Sequence, residues 1–574
     1  MQEQFNQKRY TVALYPVASF SPSAQAVGVH FTMALSLLQN CVPSSFGLSV
    51  HGAEIQSLEA NLITNYSATV PAAYRYTSPS AQLQNATFCN VTITYTHSGQ
   101  NDSIVTEAWL PTEWNERFMA VGGGGWVAGR FFLSYSAMRG AIADGYSTIT
   151  TDAGLGSAME PSSWAQTSPG NVNLYNLQNL GSVSLNDQAA IGKSLIKSFY
   201  GRAPKYSYWN GCSQGGRQGL MLAQRYPTAF DGIAAGAPAI NWNKLVTFVQ
   251  WPQQVMNELG QWPYMCELDA ITLAAVSACD KLDGTVDGVI SDARKCLNSF
   301  NPFSVVGEPT TCAQLNGTQK TISNAAAFIL NATWHGRVTA DGKQDYHGVL
   351  PGSDLTGNLP TSFGQPGIVA TACTEEGCTG MPSNLGTLWF KLFVSKNALF
   401  DMTKLTRQEF DWLANSGTQQ YASMIETNDA DLRAFKAAGG KMVTFHGLAD
   451  NIIPPGGTKD YYNAVTDIIP EVRDFYRYFE APGLGHCFGG ASGSPTGLFQ
   501  QLRDWVENGT APENTPIKIT VGNTTHDRIL CPYPQTSVFS KECGDASKAK
   551  CWSCSGDIPV SSCTKRSAQL RNEL

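Results

Sequence analysis

Tyr206-Ser207-Tyr208-Trp209-Asn210-Gly211-Cys212-Ser213-Gln214-Gly215-Gly216-Arg217-Gln218-Gly219-Leu220 is the stretch that decides the fold. Tyr206 to Trp209 is a short β-type run, and Arg217 to Arg225 suits a helix. Between them stands a Gly-x-Ser-x-Gly, Gly211 to Gly215. Strand, tight turn with a serine, then helix is the setting of a nucleophile elbow. The turn is strained, so its flanking residues must be small. The helix N-terminus directs its free N–H groups at the place where the Ser213 hydroxyl stands. In a chain with 54 glycines the motif alone is a weak signal. The remaining chain must supply a base, an acid and an oxyanion hole.

Around this stretch the pattern is βαβ. Thr87 to Tyr95 and Ser103 to Leu110 alternate as strands. Phe118 to Val121 is a short apolar strand that runs into Gly122-Gly123-Gly124-Gly125-Trp126, and Tyr146 to Thr151 is another. Ala189 to Tyr200 places Ile191, Leu195 and Phe199 on one helix face, with Gly201 as its cap. Gly232 to Ala237 follows the elbow helix as a small-residue strand. The order predicts a parallel α/β sheet. From about Pro238 to Ala430 the segments turn irregular and aromatic, as in an insertion. Regularity resumes with a helix over Asp431 to Ala438 and a strand over Met442 to Phe445. A helix over Thr458 to Val465, a strand over Val472 to Phe479 and a helix over Leu498 to Val506 follow.

An α/β-hydrolase presents Ser, acid and His in that order, on loops after strand ends. Ser213, Asp450 and His486 stand in that order behind three strands. A serine hydroxyl needs an imidazole to take its proton, and a carboxylate to fix the imidazole tautomer. The oxyanion hole requires the N–H after the nucleophile, Gln214, and one from the glycine run, for which Gly124 is the candidate. Singly, Asp450 reads as a turn former and His486 as a solvated loop residue; jointly they read as catalytic. Cys212 precedes the serine and Cys487 follows the histidine, so a Ser–His contact brings the two within disulfide reach.

The 574 residues imply two domains or one domain with a large insertion. Charged residues are 14% and the net charge is −7, with no basic cluster, which argues against nucleic acid as a partner. Fifteen cysteines and eight Asn-x-Ser/Thr sequons suggest a secreted, disulfide-bearing glycoprotein. The sequons begin at Asn65, Asn85, Asn90, Asn101, Asn316, Asn331, Asn508 and Asn523. Lys8-Arg9, the apolar run Tyr10 to Phe20 (broken by Pro16) and a small-residue stretch ending at Ala26 read as a leader. No apolar run is long enough to span a bilayer.

Asp280, Asp283 and Asp287 are spaced at 0, 3 and 7 among turn glycines, like an oxygen cage for Ca²⁺ completed by the carbonyls of Thr285 and Val289. Cys279 and Cys296 bracket this loop and can close it. The equal alternative is a solvated acidic turn. The bidentate Glu of an EF-hand is absent.

Together these residues resemble the tannase/feruloyl esterase family of secreted serine carboxylesterases. Its Cys-Ser…Asp…His-Cys arrangement is matched by Cys212-Ser213, Asp450 and His486-Cys487. Its lid calcium loop is matched at Cys279 to Gly288 and its glycine-rich oxyanion loop at Gly122 to Gly125. The resemblance runs from about Cys41 to Cys551. It implies an α/β-hydrolase with a large lid inserted between nucleophile and acid. The expected division is a leader over 1–32, a catalytic domain over 33–238 plus 431–574, and a lid over 239–430. It implies a disulfide between Cys212 and Cys487, a structural Ca²⁺ and no organic cofactor. The implied substrate is a small-molecule or plant-polymer ester of an aromatic acid, feruloyl or galloyl, with no membrane partner. Rival readings are a peptidase or general esterase on the same fold, and a non-catalytic binding protein on a decayed one. Trp389, Phe390 and Phe393 are candidates for an acid pocket, with core packing the more ordinary role. Oligomeric state is not legible.

Overall fold

The computed structural model describes residues 37–374 and 376–556. The 1–32 leader and Cys563 lie outside them. Nine strands form the main sheet: β1 (Ala53–Val70), β2 (Ala81–His97), β3 (Ile104–Pro111), β4 (Arg117–Val121), β5 (Ser147–Thr151), β6 (Tyr206–Cys212), β7 (Gly232–Gly236), β8 (Lys441–Gly447) and β9 (Tyr476–Ala481). Their order is β1-β2-β3-β5-β4-β6-β7-β8-β9. From β5 to β9 every neighbouring pair is parallel. The parallel sheet expected from the βαβ order is therefore present, but one edge is extended by three antiparallel strands.

Helices cover the sheet because each has one apolar face. On α2 (Ser184–Tyr200) Leu185, Ile191, Leu195 and Phe199 are buried against the sheet. Burying each contributes about 1.5–3 kcal/mol. Gly201 ends this helix at φ 72°, a conformation that favours glycine. Helices α1 (Phe132–Ala143), α3 (Gln214–Arg225), α7 (Pro455–Ile468) and α8 (Leu498–Asn508) complete the layers.

The strand expected over Val472 to Phe479 is divided. Val472–Asp474 is a single helical turn, and the strand is β9. Val472 buries its side chain as an anchor, and the Phe475 N–H closes the turn onto the Val472 carbonyl, so pairing with β8 starts only at Tyr476.

β7 and β8 are adjacent in the sheet, yet residues 239–430 intervene. They hold α4 (Trp242–Leu259), α5 (Asn324–His335), α6 (Arg407–Ile425) and short hairpins, and none of their strands joins the main sheet. Trp389, Phe390 and Phe393 are buried in a core that this segment shares with earlier residues: Trp126, just after the glycine run, stacks on Trp389 and Phe393, with Trp242 and Tyr421 beside them. They are packing residues. After α8 comes a hairpin of β10 (Thr515–Val521) and β11 (Thr524–Leu530), followed by a segment tied by Cys531–Cys554 and Cys543–Cys551. Among the described residues no helix is long and apolar enough to cross a membrane.

Candidate active site

β6 runs straight through Cys212, and α3 starts at Gln214, so Ser213 alone makes the turn. It does so at φ 64° and ψ −121°, where an L-residue is strained. Small neighbours are obligatory. A Cβ on Gly211 would lie 2.6 Å from the Gly215 carbonyl oxygen. The Ser213 N–H is held by the Gly236 carbonyl at 3.0 Å.

Asp450 and His486 are brought together by the loops after β8 and β9. Nδ1 of His486 lies 2.8 Å from Oδ2 of Asp450, which leaves Nε2 for another partner. Asp450 is fully buried and accepts the Ile452 and Ile453 N–H groups on Oδ1 at 2.9 and 2.8 Å. Burial pushes its pKa up. The His486 charge and the hydrogen bonds from both histidines outweigh that and hold it well below the usual carboxylate range. The disulfide Cys212–Cys487 ties the two ends of the site, with Cα atoms 5.9 Å apart. Cys487 itself has φ 65°, so the disulfide anchors a loop that bends sharply beside His486.

The glycine run is disposed differently from the expectation. Gly122 donates to the Asn210 carbonyl, Gly123 to Gln218 Oε1 and Gly124 to the Val127 carbonyl at 3.0 Å. The amide of Gly124 is thus engaged, and Gly124 is corrected from oxyanion donor to turn residue. A tight turn over Gly124 to Val127, with Gly125 at φ 56°, makes this unavoidable. Gln214 stands first in α3, where its N–H lies beyond the reach of the helical hydrogen-bond ladder.

Several residues at the site were missed from sequence. His446 is fully buried; its Nδ1 lies 2.8 Å from the Thr458 hydroxyl, and its Nε2 faces the Ile453 carbonyl and Asp450. Two acceptors at Nε2 place the proton there. The signal was a histidine four residues before Asp450. Arg217 is fully buried, donating to Gln214 Oε1 and to the carbonyls of Leu180 and Gly181. Burial, with Arg225 nearby, pulls its pKa down to about 9 against the pull of Glu426. From the 239–430 segment, Gln365 donates to the His486 carbonyl at 2.7 Å and Asn451 donates to the Pro366 carbonyl at 3.2 Å. That segment therefore clasps the loops that carry Asp450 and His486. Behind the loops lies a cavity of about 330 Å³ lined by Leu448, Ala449, Gly485, Val276 and Gln365, which Ser213 does not line.

The acidic loop is stapled by Cys279–Cys296. Asp280 accepts the N–H groups of Asp287 and Gly288 at 3.0 and 2.9 Å. Asp283 holds the Thr285 N–H and hydroxyl. Arg528 of β11 pairs with Asp283 at 3.2 Å and with Asp287, donates to Thr285 at 2.8 Å, and stacks on Trp552. Among the described residues no three acidic, His or Cys side chains converge as a metal site. Yet Oδ1 of Asp287 is buried without a partner, and three hard oxygen donors in one loop fit a hard cation in kind. Val289 is buried against Gly483, in the loop that carries His486.

A family model described as tannase and feruloyl esterase matches residues 89–555. A probable feruloyl esterase from Arthroderma benhamiae is 37% identical, over 89% of this chain and 92% of its own length. The tannase of Aspergillus oryzae is 28% identical, over 91% and 94%. Among solved structures, a tannin acyl hydrolase from Aspergillus niger superposes with a TM-score of 0.79 at 26% identity, covering 91% of this chain and 94% of that one. Feruloyl esterase B from Aspergillus oryzae shares the fold, with a TM-score of 0.72 at 24% identity over 92% and 100%.

Proposed function

Because the chain belongs to the tannase and feruloyl esterase family, we propose that it cleaves esters of phenolic acids through Ser213, His486 and Asp450. It is a carboxylic ester hydrolase with an α/β-hydrolase fold. The observation that carries the site assignment is the Asp450–His486 contact at Nδ1, tied to the strained Ser213 turn through Cys212–Cys487. Asp450 occupies Nδ1, so Nε2 of His486 is the base. Ser213 Oγ forms a bond to the ester carbonyl carbon and its proton passes to Nε2. The oxyanion meets the Gln214 N–H and a second amide of the glycine loop. Collapse breaks the ester C–O bond, and the departing alcohol takes the proton from His486. Water, deprotonated by His486, then releases the acid and restores Ser213.

The phenolic acyl group is supported by the names of the relatives, a feruloyl esterase and a tannase. A turnover panel of methyl ferulate, methyl gallate, a simple acetyl ester and a peptide tests it. Phenolic esters are expected to be preferred and the peptide left intact; preference for the acetyl ester contradicts the reading. An extracellular setting is supported by the seven disulfides among the described residues and by the placement of all eight sequon asparagines, none of which is buried. A structural Ca²⁺ in the loop Asp280 to Val289 is part of the same proposal. Asp280, Asp283, Asp287 and the carbonyls of Thr285 and Val289 would hold it, and it would neutralise the carboxylates that brace the His486 loop.

A further inference from the structure

Gln218 lies on α3, five residues past Ser213, and has no exposed surface. Its side-chain amide spans the base of the glycine loop. Oε1 accepts the Gly123 N–H at 2.9 Å, and Nε2 donates to the Ala128 carbonyl at 2.9 Å. The Gly123 carbonyl accepts the Gly215 N–H at 3.1 Å, so the loop is also tied to the elbow itself. Between the two feet, Gly124 and Val127 exchange reciprocal backbone hydrogen bonds at 3.0 and 2.9 Å. The turn is a closed unit standing on one side chain. The approach is close: a Cβ on Gly122 would lie 2.5 Å from Gly215 Cα and 2.8 Å from Gln218 Oε1.

We infer that Gln218 is a positioning residue that fixes the glycine turn relative to Ser213, so that an amide of the turn meets the oxyanion as it forms. Gln218 acts through the turn and does not touch substrate. This role rests on the reading of Ser213 as nucleophile. Donors aimed at a developing charge accelerate a reaction only if they are held in place before it. Loosening them weakens binding of the transition state and leaves binding of the ground state nearly untouched, so kcat falls while KM stays. A purely structural glutamine has no such asymmetry.

The test compares Gln218→Met, which removes both bonds at similar volume, with Gln218→Glu. The carboxylate of Glu can accept from Gly123 but cannot donate to Ala128. Gln253→Met is the control; Gln253 is another buried glutamine, on α4, that donates to the Ala370 carbonyl at 3.0 Å. Gln218→Met is expected to lower kcat about a hundredfold with KM within about twofold. It is also expected to weaken an aryl boronic acid, which becomes tetrahedral on the serine, by a similar factor, with binding of the aromatic acid product unchanged. Gln218→Glu is expected to fall between that and wild type and stands in if the Met variant does not fold. Gln253→Met is expected to lower the unfolding midpoint without changing kcat. Wild-type kcat and boronate affinity in the Gln218 variants overturn the inference. So does a loss that follows only the unfolding midpoint. Ser213→Ala separates the two readings. If it stays active, the nucleophile assignment fails; if it is inert while the Gln218 variants turn over normally, only the role of Gln218 fails.

Discussion

Nε2 of His446 lies 3.2 Å from Oδ2 of Asp450, the oxygen that also meets His486. One carboxylate oxygen thus serves two imidazoles, and His446, fully buried between Thr458 and the Ile453 carbonyl, sets the angle of the carboxylate. Orientation of the acid is what the histidine tautomer depends on. His446→Leu is therefore expected to lower kcat by about tenfold to a hundredfold with little change in KM. Steady-state kinetics on a phenolic ester checks this; an unchanged kcat refutes the positioning role.

The Cys212–Cys487 disulfide closes a loop of sequence separation 275. In the chain-entropy account such a crosslink stabilises by at most on the order of 5 kcal/mol. It also restrains the His486 loop at its sharp bend. The double variant Cys212→Ala/Cys487→Ala is expected to unfold several degrees lower and to lose about tenfold or more in kcat at temperatures where it is folded. Calorimetry paired with kinetics reads both effects, and a drop in midpoint without a drop in kcat restricts the disulfide to stability.

Asp269 accepts the Thr356 hydroxyl at 2.6 Å. Burial pushes its carboxyl up to about 7, Asp354 adds to the rise, and the Thr356 hydrogen bond opposes it. Its folded pKa exceeds its unfolded value near 4, so the folded state holds the proton more tightly. Its contribution is most favourable below about pH 4, is lost as pH rises through about 7, and is flat above that. The loss is at most about 4 kcal/mol. Asp269→Asn can still accept from Thr356. It is expected to match wild type in unfolding midpoint near pH 4 and to exceed it by a few degrees near pH 8. Parallel curves across this range contradict the assignment.

Arg528 faces the same carboxylates that a Ca²⁺ in the Asp280 to Val289 loop requires. A Ca²⁺ bound by Asp283 and Asp287 competes with the guanidinium for these carboxylates, so the ion is expected to loosen the Arg528 pairs. Millimolar Ca²⁺ added to EDTA-treated protein is expected to raise the unfolding midpoint, and the rise is expected to persist in Arg528→Met. Absence of any Ca²⁺ effect on both proteins, by scanning calorimetry, refutes the site.

The candidate site was more legible than the edges of the fold. Ser213, Asp450 and His486 stand at strand ends that hydrophobic runs mark clearly, and the paired cysteines beside them relate distant positions. The 18-residue β1 was not legible, because its residues are largely exposed or half-exposed and carry no continuous apolar run. Helix α1 was likewise missed; its apolar residues are spread among Ser, Gly and Arg. The role of Gly124 depended on how the loop closes on Val127, a contact that only the backbone path reveals. Gln218 and Arg528 act through partners far away in sequence, so nothing local flagged them, whereas His446 stands four residues before Asp450 and its contact with that carboxylate depends on how the loop folds back.

The central claim is that Ser213 carries the acyl group. Acid quenching during turnover of an activated feruloyl ester, followed by peptide mass spectrometry, tests it most directly. A feruloyl adduct on the peptide containing Ser213, absent in Ser213→Ala along with turnover, is the expected result. Wild-type hydrolysis by Ser213→Ala, or an adduct on another residue, would contradict it.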